Sequence, residues 1–463
     1  MLPQQEENKV EPIEPIAINP VILEPNQNLS LNQPQPKKSK KELILLIGLI
    51  IFFIAGASSF VLINKSDKNI PGAVKNSHPV EPKVIIADNV AEAQSQFGIN
   101  LLNQLNTDKA KNVFISPSSI SVAMSMAYNG ADGITKDEMK KSLGFQKISD
   151  EELNNQNKNF IEFMNNDNKQ VELSIANSVW ADQPDAKNEY FTLKSNYIQT
   201  IDKYYGAKPI VQDLSSEQTK RDINKWVQDQ TKGKINSILD EKLPEDYRYV
   251  LMNALYFKGN WKFQFDKSLT SDREFTSASG TKSKVSTMNQ AGTFNYTEKD
   301  NEYKAVQLPY GEDENFVMEL ILPDDMNAFG SSMKADKFKD ITSELKKKKG
   351  EIFLPKFKIE YDIELNESLK SLGMESAFNE STANFKQLTE QTTAIDKVAH
   401  KTFLEVNEEG SEAAAVTFIG GGITTSVGEP EDTFVVDINK PFVVFIKDKT
   451  NNHPIFAGII NSL

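Results

Sequence analysis

The alternation of apolar and polar positions divides the chain into an N-terminal tail, one long apolar run, a tether and a globular part. Residues 1–36 are rich in Pro, Gln, Asn and Glu and carry no periodic apolar face. They cannot bury enough surface to offset chain entropy and are expected to be disordered. A basic cluster, Lys37, Lys38, Lys40 and Lys41, leads into Leu43 to Ile63, 21 residues without a charge. At a rise of about 1.5 Å per residue that run spans about 30 Å as a helix, the hydrocarbon thickness of a bilayer. Residues 64–90 mix Lys, Asp, Pro, Gly and Ser without pattern and read as a tether. The expected organisation is a tail over 1–42, a transmembrane helix over 43–63, a linker over 64–90 and a folded domain over 91–463.

Within the folded part, Phe97, Leu101, Leu102 and Leu105 fall at helical spacing. Ser116 can cap a helix, Pro117 suits its first turn, and Ile120 to Tyr128 is apolar or small almost throughout, the pattern of a helix buried on nearly all sides. Glu172 to Ala181 alternates as a strand. Ser215 and Gln218 have capping-box spacing before the helical face Ile223, Trp226 and Val227. Leu251 to Asp266 reads as a central strand, and Leu369 to Phe378 as a helix closed by a glycine turn. Asn439 to Ile446 and Pro454 to Ile460 are buried-strand runs.

The stretch from Asn407 to Pro441 is of another kind. It opens with Glu408, Glu409 and Gly410, continues in small residues, rises through Val416 to Ile419 and breaks at Gly420, Gly421 and Gly422. With a period of two, Ser411, Ala413, Ala415, Thr417 and Ile419 share one face. Glu412, Ala414, Val416 and Phe418 share the other. The first face carries no charge and starts small, which suits a strand that slides between two others.

Composition narrows the chemistry. The formal charge of −13 argues against a nucleic-acid partner, whose phosphates would repel it. There is no cysteine, hence no disulfide, thiolate metal site or thiol nucleophile, and only His78, His400 and His453 could supply imidazole. Three scattered histidines make no metal ligand cluster. The glycines at 420–422 lack the Lys-Ser/Thr of a phosphate cradle, and no G-x-S-x-G elbow accompanies His400. Lys346 to Lys349 reads as a solvated face. Neither a catalytic constellation nor a cofactor site emerges.

The run E-E-G-S-E-A-A-A, Glu408 to Ala415, closely resembles the reactive-loop hinge of inhibitory serpins. Around it, Ser116, Pro117 and Ser119 resemble the start of that family's buried helix, and Asn253 and Trp261 stand where the family keeps an Asn and a Trp. Leu308-Pro309-Tyr310, Leu354-Pro355-Lys356-Phe357 and the closing Asn439-Lys440-Pro441-Phe442 match further segments, so the resemblance covers about residues 91–463.

The resemblance implies an α+β serpin fold: three β-sheets, about eight or nine helices and an exposed reactive loop over about 408–438. It implies a suicide-substrate inhibitor of serine proteases, not an enzyme. Glu408, Glu409, Gly410, Ser411, Glu412, Ala413, Ala414 and Ala415 would form the hinge, and Ser116, Ser119, Asn253, Trp261 and His400 the region where the main sheet opens. Counting sixteen positions from Glu408, as inhibitory members do, puts the attacked bond at Thr424–Thr425, with Ile423 the alternative. None of these is basic or aromatic, which favours an elastase-like or subtilisin-like protease with a small-to-medium apolar pocket.

Asp150 to Asn168 is acidic rather than basic, so the heparin site of some members is not expected; a monomer is. Four lysines before the apolar run against Lys65 and Lys68 after it place the N-terminus in the cytoplasm and the inhibitor domain outside the cell. A cleavable signal ending at Ala55-Gly56-Ala57 is the competing reading. A non-inhibitory serpin-fold binding or chaperone-like surface protein is the alternative function.

Overall fold

A computed structural model of the chain describes residues 88–165, 171–183, 191–411, 432–450 and 453–463. The tail, the apolar run 43–63, the tether up to residue 87, hinge positions Glu412 to Ala415 and the expected scissile residues lie outside the described residues, while the last three residues of the expected tether already belong to the helix Asp88–Leu105. Among the described residues no helix is long and apolar enough to cross a membrane.

Fifteen strands are described. They begin with β1 (Val113–Ile115), β2 (Val171–Asp182), β3 (Ile210–Gln212), β4 (Tyr249–Asn260) and β5 (Ser271–Thr276). Next come β6 (Lys282–Lys299), β7 (Tyr303–Tyr310), β8 (Phe316–Pro323), β9 (Lys346–Pro355) and β10 (Phe357–Glu364). The last are β11 (Lys397–Asn407), β12 (Gly410–Ser411), β13 (Phe434–Asp437), β14 (Phe442–Asp448) and β15 (His453–Ile460). Nine α-helices are also described, within the expected eight or nine.

Of the three expected sheets, two share a strand among the described residues and are hydrogen-bonded as one. The 18-residue β6 pairs with β5 through its first six residues and with β7 through its last five, while β9 runs along ten of its residues. One continuous strand thereby fuses what would be two sheets into a single nine-stranded one, ordered β1-β15-β14-β8-β7-β6-β9-β13 with β5 at the side. The six-stranded sheet runs β10-β11-β12-β4-β2-β3, and β11 also pairs directly with β4.

The period-two rule explains how β4 serves two cores. Leu251, Leu255 and Phe257 point into the main core, which includes Ile120, Val122, Ala123 and Met124 of the helix Pro117–Gly130. Val250, Met252, Ala254 and Tyr256 join a second cluster with Ile223 and Val227 of the helix Glu217–Gln230 on the opposite face. The helix Pro117–Gly130 is buried at thirteen of its fourteen positions, which its lack of charge allows. Ser116 caps it by accepting the Ser119 N–H, and Pro117 takes the first turn, where no donor is needed.

The helix Glu217–Gln230 is capped one residue later than expected. Ser216 Oγ accepts the Thr219 N–H at 3.0 Å, while Ser215 is turned back onto the Asp213 carboxylate. Adjacent serines leave the cap ambiguous in sequence, and the aspartate settles it.

In the nine-stranded sheet the Lys447 ammonium lies 2.8 Å from the Glu319 carboxylate, at 5% and 0% exposure. Gln307 donates to the same carboxylate and Thr342 accepts from the lysine. Glu319→Leu strands a buried cation and is expected to cost about 3–5 kcal/mol. The double change with Lys447→Met should cost much less. Denaturant unfolding of both variants checks this.

Candidate functional site

The site begins with a parallel ladder. β11 and β4 pair over seven rungs, from Lys397 opposite Val250 to Phe403 opposite Tyr256. Their outer neighbours, β10 and β2, are antiparallel to them. Past Phe403 the two strands are held apart, because the chain turns back after Asn407 and enters the gap as β12. Ser411 pairs with Val406 on one side and Gly259 on the other, and Gly410 with Asn407 and Asn260. The N–H of Trp261 extends the new ladder to the Glu409 carbonyl at 2.9 Å.

Only glycine fits at the tip of this wedge. Gly410 has φ +152°, and a Cβ there would run into the Gly259 carbonyl and lie 2.6 Å from Asn260 Cα. Gly259 is equally confined, since its Cβ would meet the Tyr310 ring at 2.8 Å and the Phe257 ring at 2.9 Å. The buried Ser411 hydroxyl bonds the Tyr310 hydroxyl at 2.6 Å, and Tyr310 stacks on Trp261 with centroids 4.4 Å apart. Trp261 Nε1 donates to the Asn407 carbonyl at 2.9 Å, so the indole braces the turn through side chain and backbone alike.

The two turn acids are tied to the body. Glu408 accepts from Lys356 at 2.9 Å and from the Thr270 hydroxyl at 2.9 Å. Burial pushes its carboxyl up, but the hydrogen bonds from Lys356 and Thr270 outweigh that and hold it below the ordinary glutamate value. Glu409 pairs with Lys267 at 2.5 Å, and that lysine is two-thirds exposed. The exposed ion pair contributes little to stability, and the more buried Glu408 site contributes more.

Midway along the parallel ladder lies a polar lock. His400 is opposite Asn253, and its ring sits under the start of the helix Pro117–Gly130. The Ser116 backbone N–H donates to His400 Nε2 at 3.2 Å. An amide N–H can only donate, so Nε2 is unprotonated and the proton sits on Nδ1, which donates to Asn253 Oδ1. The Asn253 amide donates to Ser119 Oγ and Asn177 Oδ1, and Thr402 Oγ1 donates to the Phe114 carbonyl at 2.8 Å. Full burial pushes the imidazole down to about 3, so it stays neutral.

The structure thus unites Ser116, Ser119, Asn253 and His400. It does not place Trp261 with them: that residue lies eight positions along from Asn253, roughly 26 Å by strand rise, at the hinge. Glu408, Glu409, Gly410 and Ser411 are all at the wedge. Sequence reasoning singled out neither Lys356, Thr270, Lys267, Tyr310, Asn177 nor Thr402, which complete the two clusters. Lys356 and Tyr310 fall inside matched segments, but nothing in their spacing links them to the hinge. Among the described residues no group of three His, Asp or Glu side chains could hold a metal ion.

The neutral lock gives a pH signature. His400 titrates near 6.5 unfolded and near 3 folded, so its contribution is complete above pH 6.5 and is lost as pH falls toward 3. Between those limits wild type loses about 1.4 kcal/mol per pH unit from this group. His400→Gln should reduce the slope of unfolding free energy between pH 6.5 and 5 by that amount, read by denaturant titrations across the range.

Comparisons with known proteins agree with this geometry. The family model described as serpin (serine protease inhibitor) matches residues 92–463. Iripin-1 from Ixodes ricinus is 33% identical over 386 residues, covering 81% of this chain and 95% of that protein. Human Serpin B8 is 35% identical over 393 residues, covering 81% and 100%. The crystal structure of tengpin, a thermophilic serpin in its native state, superposes with a TM-score of 0.74 at 33% identity, covering 83% of this chain and 97% of that one. The chain belongs to the serpin family of serine protease inhibitors.

Proposed function

We propose that this protein is a membrane-anchored suicide-substrate inhibitor of serine proteases, acting by loop cleavage, acyl-enzyme trapping and strand insertion. The observation that carries the reading is the wedge: a returning strand already started between two parallel neighbours. One antiparallel strand added there replaces a parallel ladder with two antiparallel ones. Continuing the observed register sets Ala413 opposite Phe257 and Leu404, Ala415 opposite Leu255 and Thr402, and Thr417 opposite Asn253 and His400. These partners are buried, so the small uncharged face of the stretch is matched to the slot. The Thr417 hydroxyl would arrive at the rung where the lock must part, and could replace a hydrogen bond lost there.

The chemistry is ordinary acyl transfer stopped halfway. The protease serine attacks the carbonyl of the loop residue, the peptide C–N bond breaks, and the freed amine leaves with a proton. The loop remains as an ester on the enzyme. Insertion of the released segment then drags the enzyme along the sheet. About ten net ladder bonds at about 1 kcal/mol each are comparable to the stability of a protease domain, about 5–15 kcal/mol, and can distort its active site before water cleaves the ester.

Thr424–Thr425, or a bond at Ile423, would suit an elastase-like or subtilisin-like enzyme. The charge-free run 43–63 with its flanking lysines supports an anchor that leaves the inhibitor domain outside the cell.

The test is an SDS-stable adduct with a panel of serine proteases. An adduct is expected with elastase-like or subtilisin-like members and little with trypsin. Ala413→Arg should abolish it while cleavage persists, because the cation would enter the buried slot unpaired. Undiminished adduct in that variant overturns the reading. Protease treatment of intact cells should remove the folded domain and spare the N-terminal tail. The opposite pattern refutes the orientation.

A further inference from the structure

The far end of the parallel pair is closed by Asp396. Below the last rung, Lys397 opposite Val250, the Asp396 backbone N–H donates to the Tyr249 carbonyl at 2.9 Å. Its Oδ2 accepts the backbone N–H of Tyr249 at 2.9 Å and that of Arg248 at 2.5 Å. Asn366 holds the Asp396 carbonyl at 2.7 Å and accepts the Val398 N–H at 2.9 Å, which fixes the start of β11. The Arg248 guanidinium is turned to Asp182 at 3.3 Å rather than to Asp396. The half-buried carboxylate is therefore met by two amides and no direct cation. Burial pushes it up to about 6 against the pull of those amides and the Arg248 charge.

The register says what those two amide-side bonds replace. At the hinge end, Trp261 turns its N–H into the gap and bonds Glu409. Tyr249 lies an even number of residues away on the same chain, so its N–H and carbonyl also face the gap. Continuing the β12 register places residue 421 opposite Tyr249 as a hydrogen-bonded pair. In such a pair its carbonyl would accept the Tyr249 N–H and its N–H would donate to the Tyr249 carbonyl. Asp396 now satisfies both of these groups, one with its side chain and one with its backbone.

We propose that Asp396 is a positioning residue that stands in for the end of the inserted strand. It keeps the floor of the slot closed until that strand displaces it. The sequence in register with this floor is Gly420-Gly421-Gly422, opposite Val250, Tyr249 and Arg248. Three residues without Cβ leave room for the carboxylate to swing aside. The inference rests on the strand-insertion reading and assigns the step that completes it.

The experiment compares melting of intact and loop-cut full-length protein. A thermolysin-type metalloprotease is suited to the cut, since it attacks through metal-bound water and forms no acyl-enzyme. Cleavage before Ile423 is verified by mass. Asp396→Ala should lower the midpoint of the intact form by several degrees and leave the cut form at the wild-type value, widening the gap between them. Asp396→Asn, which keeps a carbonyl acceptor, should restore the intact form most of the way. If Asp396→Ala does not accumulate folded, Asp396→Ser, with a hydroxyl too short to span both amides, should show the same asymmetry at smaller amplitude.

An equal fall in intact and cut forms would make Asp396 an ordinary structural acid and overturn the proposal. Coincident midpoints for intact and cut wild type would instead remove strand insertion itself.

Discussion

The parallel pairing of β11 with β4 is the constraint on which the site depends. The two strands run the same way, each with an antiparallel neighbour outside, so a strand of opposite direction in the gap makes an antiparallel ladder on both of its sides. A chain leaving β11 and reversing at once has that direction. The reversal occupies only Asn407 to Gly410, and the positive φ of Gly410 lets the chain enter against the Gly259 carbonyl. Parallel ladders are slightly weaker per residue than antiparallel ones.

The contacts that hold the slot differ in strength along its length. At the mouth, Glu409 is held by an exposed lysine, a contact that is cheap to release, while the buried Glu408 carboxylate is held more firmly by Lys356 and Thr270. In the middle, His400, Asn253, Ser116 and Ser119 form a buried, mutually satisfied network, which is costly to open unless each donor finds a new acceptor. At the floor, Asp396 ties the first residues of β4 to the first of β11.

The folded body resists deformation through a different kind of interaction. The second cluster, with Ile223, Val227, Val250 and Met252, and the main core clamp β4 from its two faces, so the strand can move sideways only as part of a packed layer. His453, fully buried against Phe160 with ring centroids 4.7 Å apart, is kept neutral by burial like His400, and belongs to this packing rather than to the slot.

Much of this was legible in the order of residues. Alternation marked β2, an apolar run marked β4, and the uncharged run Ile120 to Tyr128 marked the buried helix. The hinge motif announced its family because small size, absence of charge and glycine placement are local properties of the chain. What the sequence could not determine were relations across distance. Lys356 to Glu408, Thr270 to Glu408 and Tyr310 to Ser411 join residues 52 to 138 positions apart, and no spacing rule connects them. The fusion of two expected sheets followed from how far β6 stays paired, and the separation of Trp261 from His400 from where β4 ends. Local pattern decides which residues are able to form a strand; tertiary packing alone decides which strand lies beside it, in what direction, and which donors and acceptors are left facing the gap.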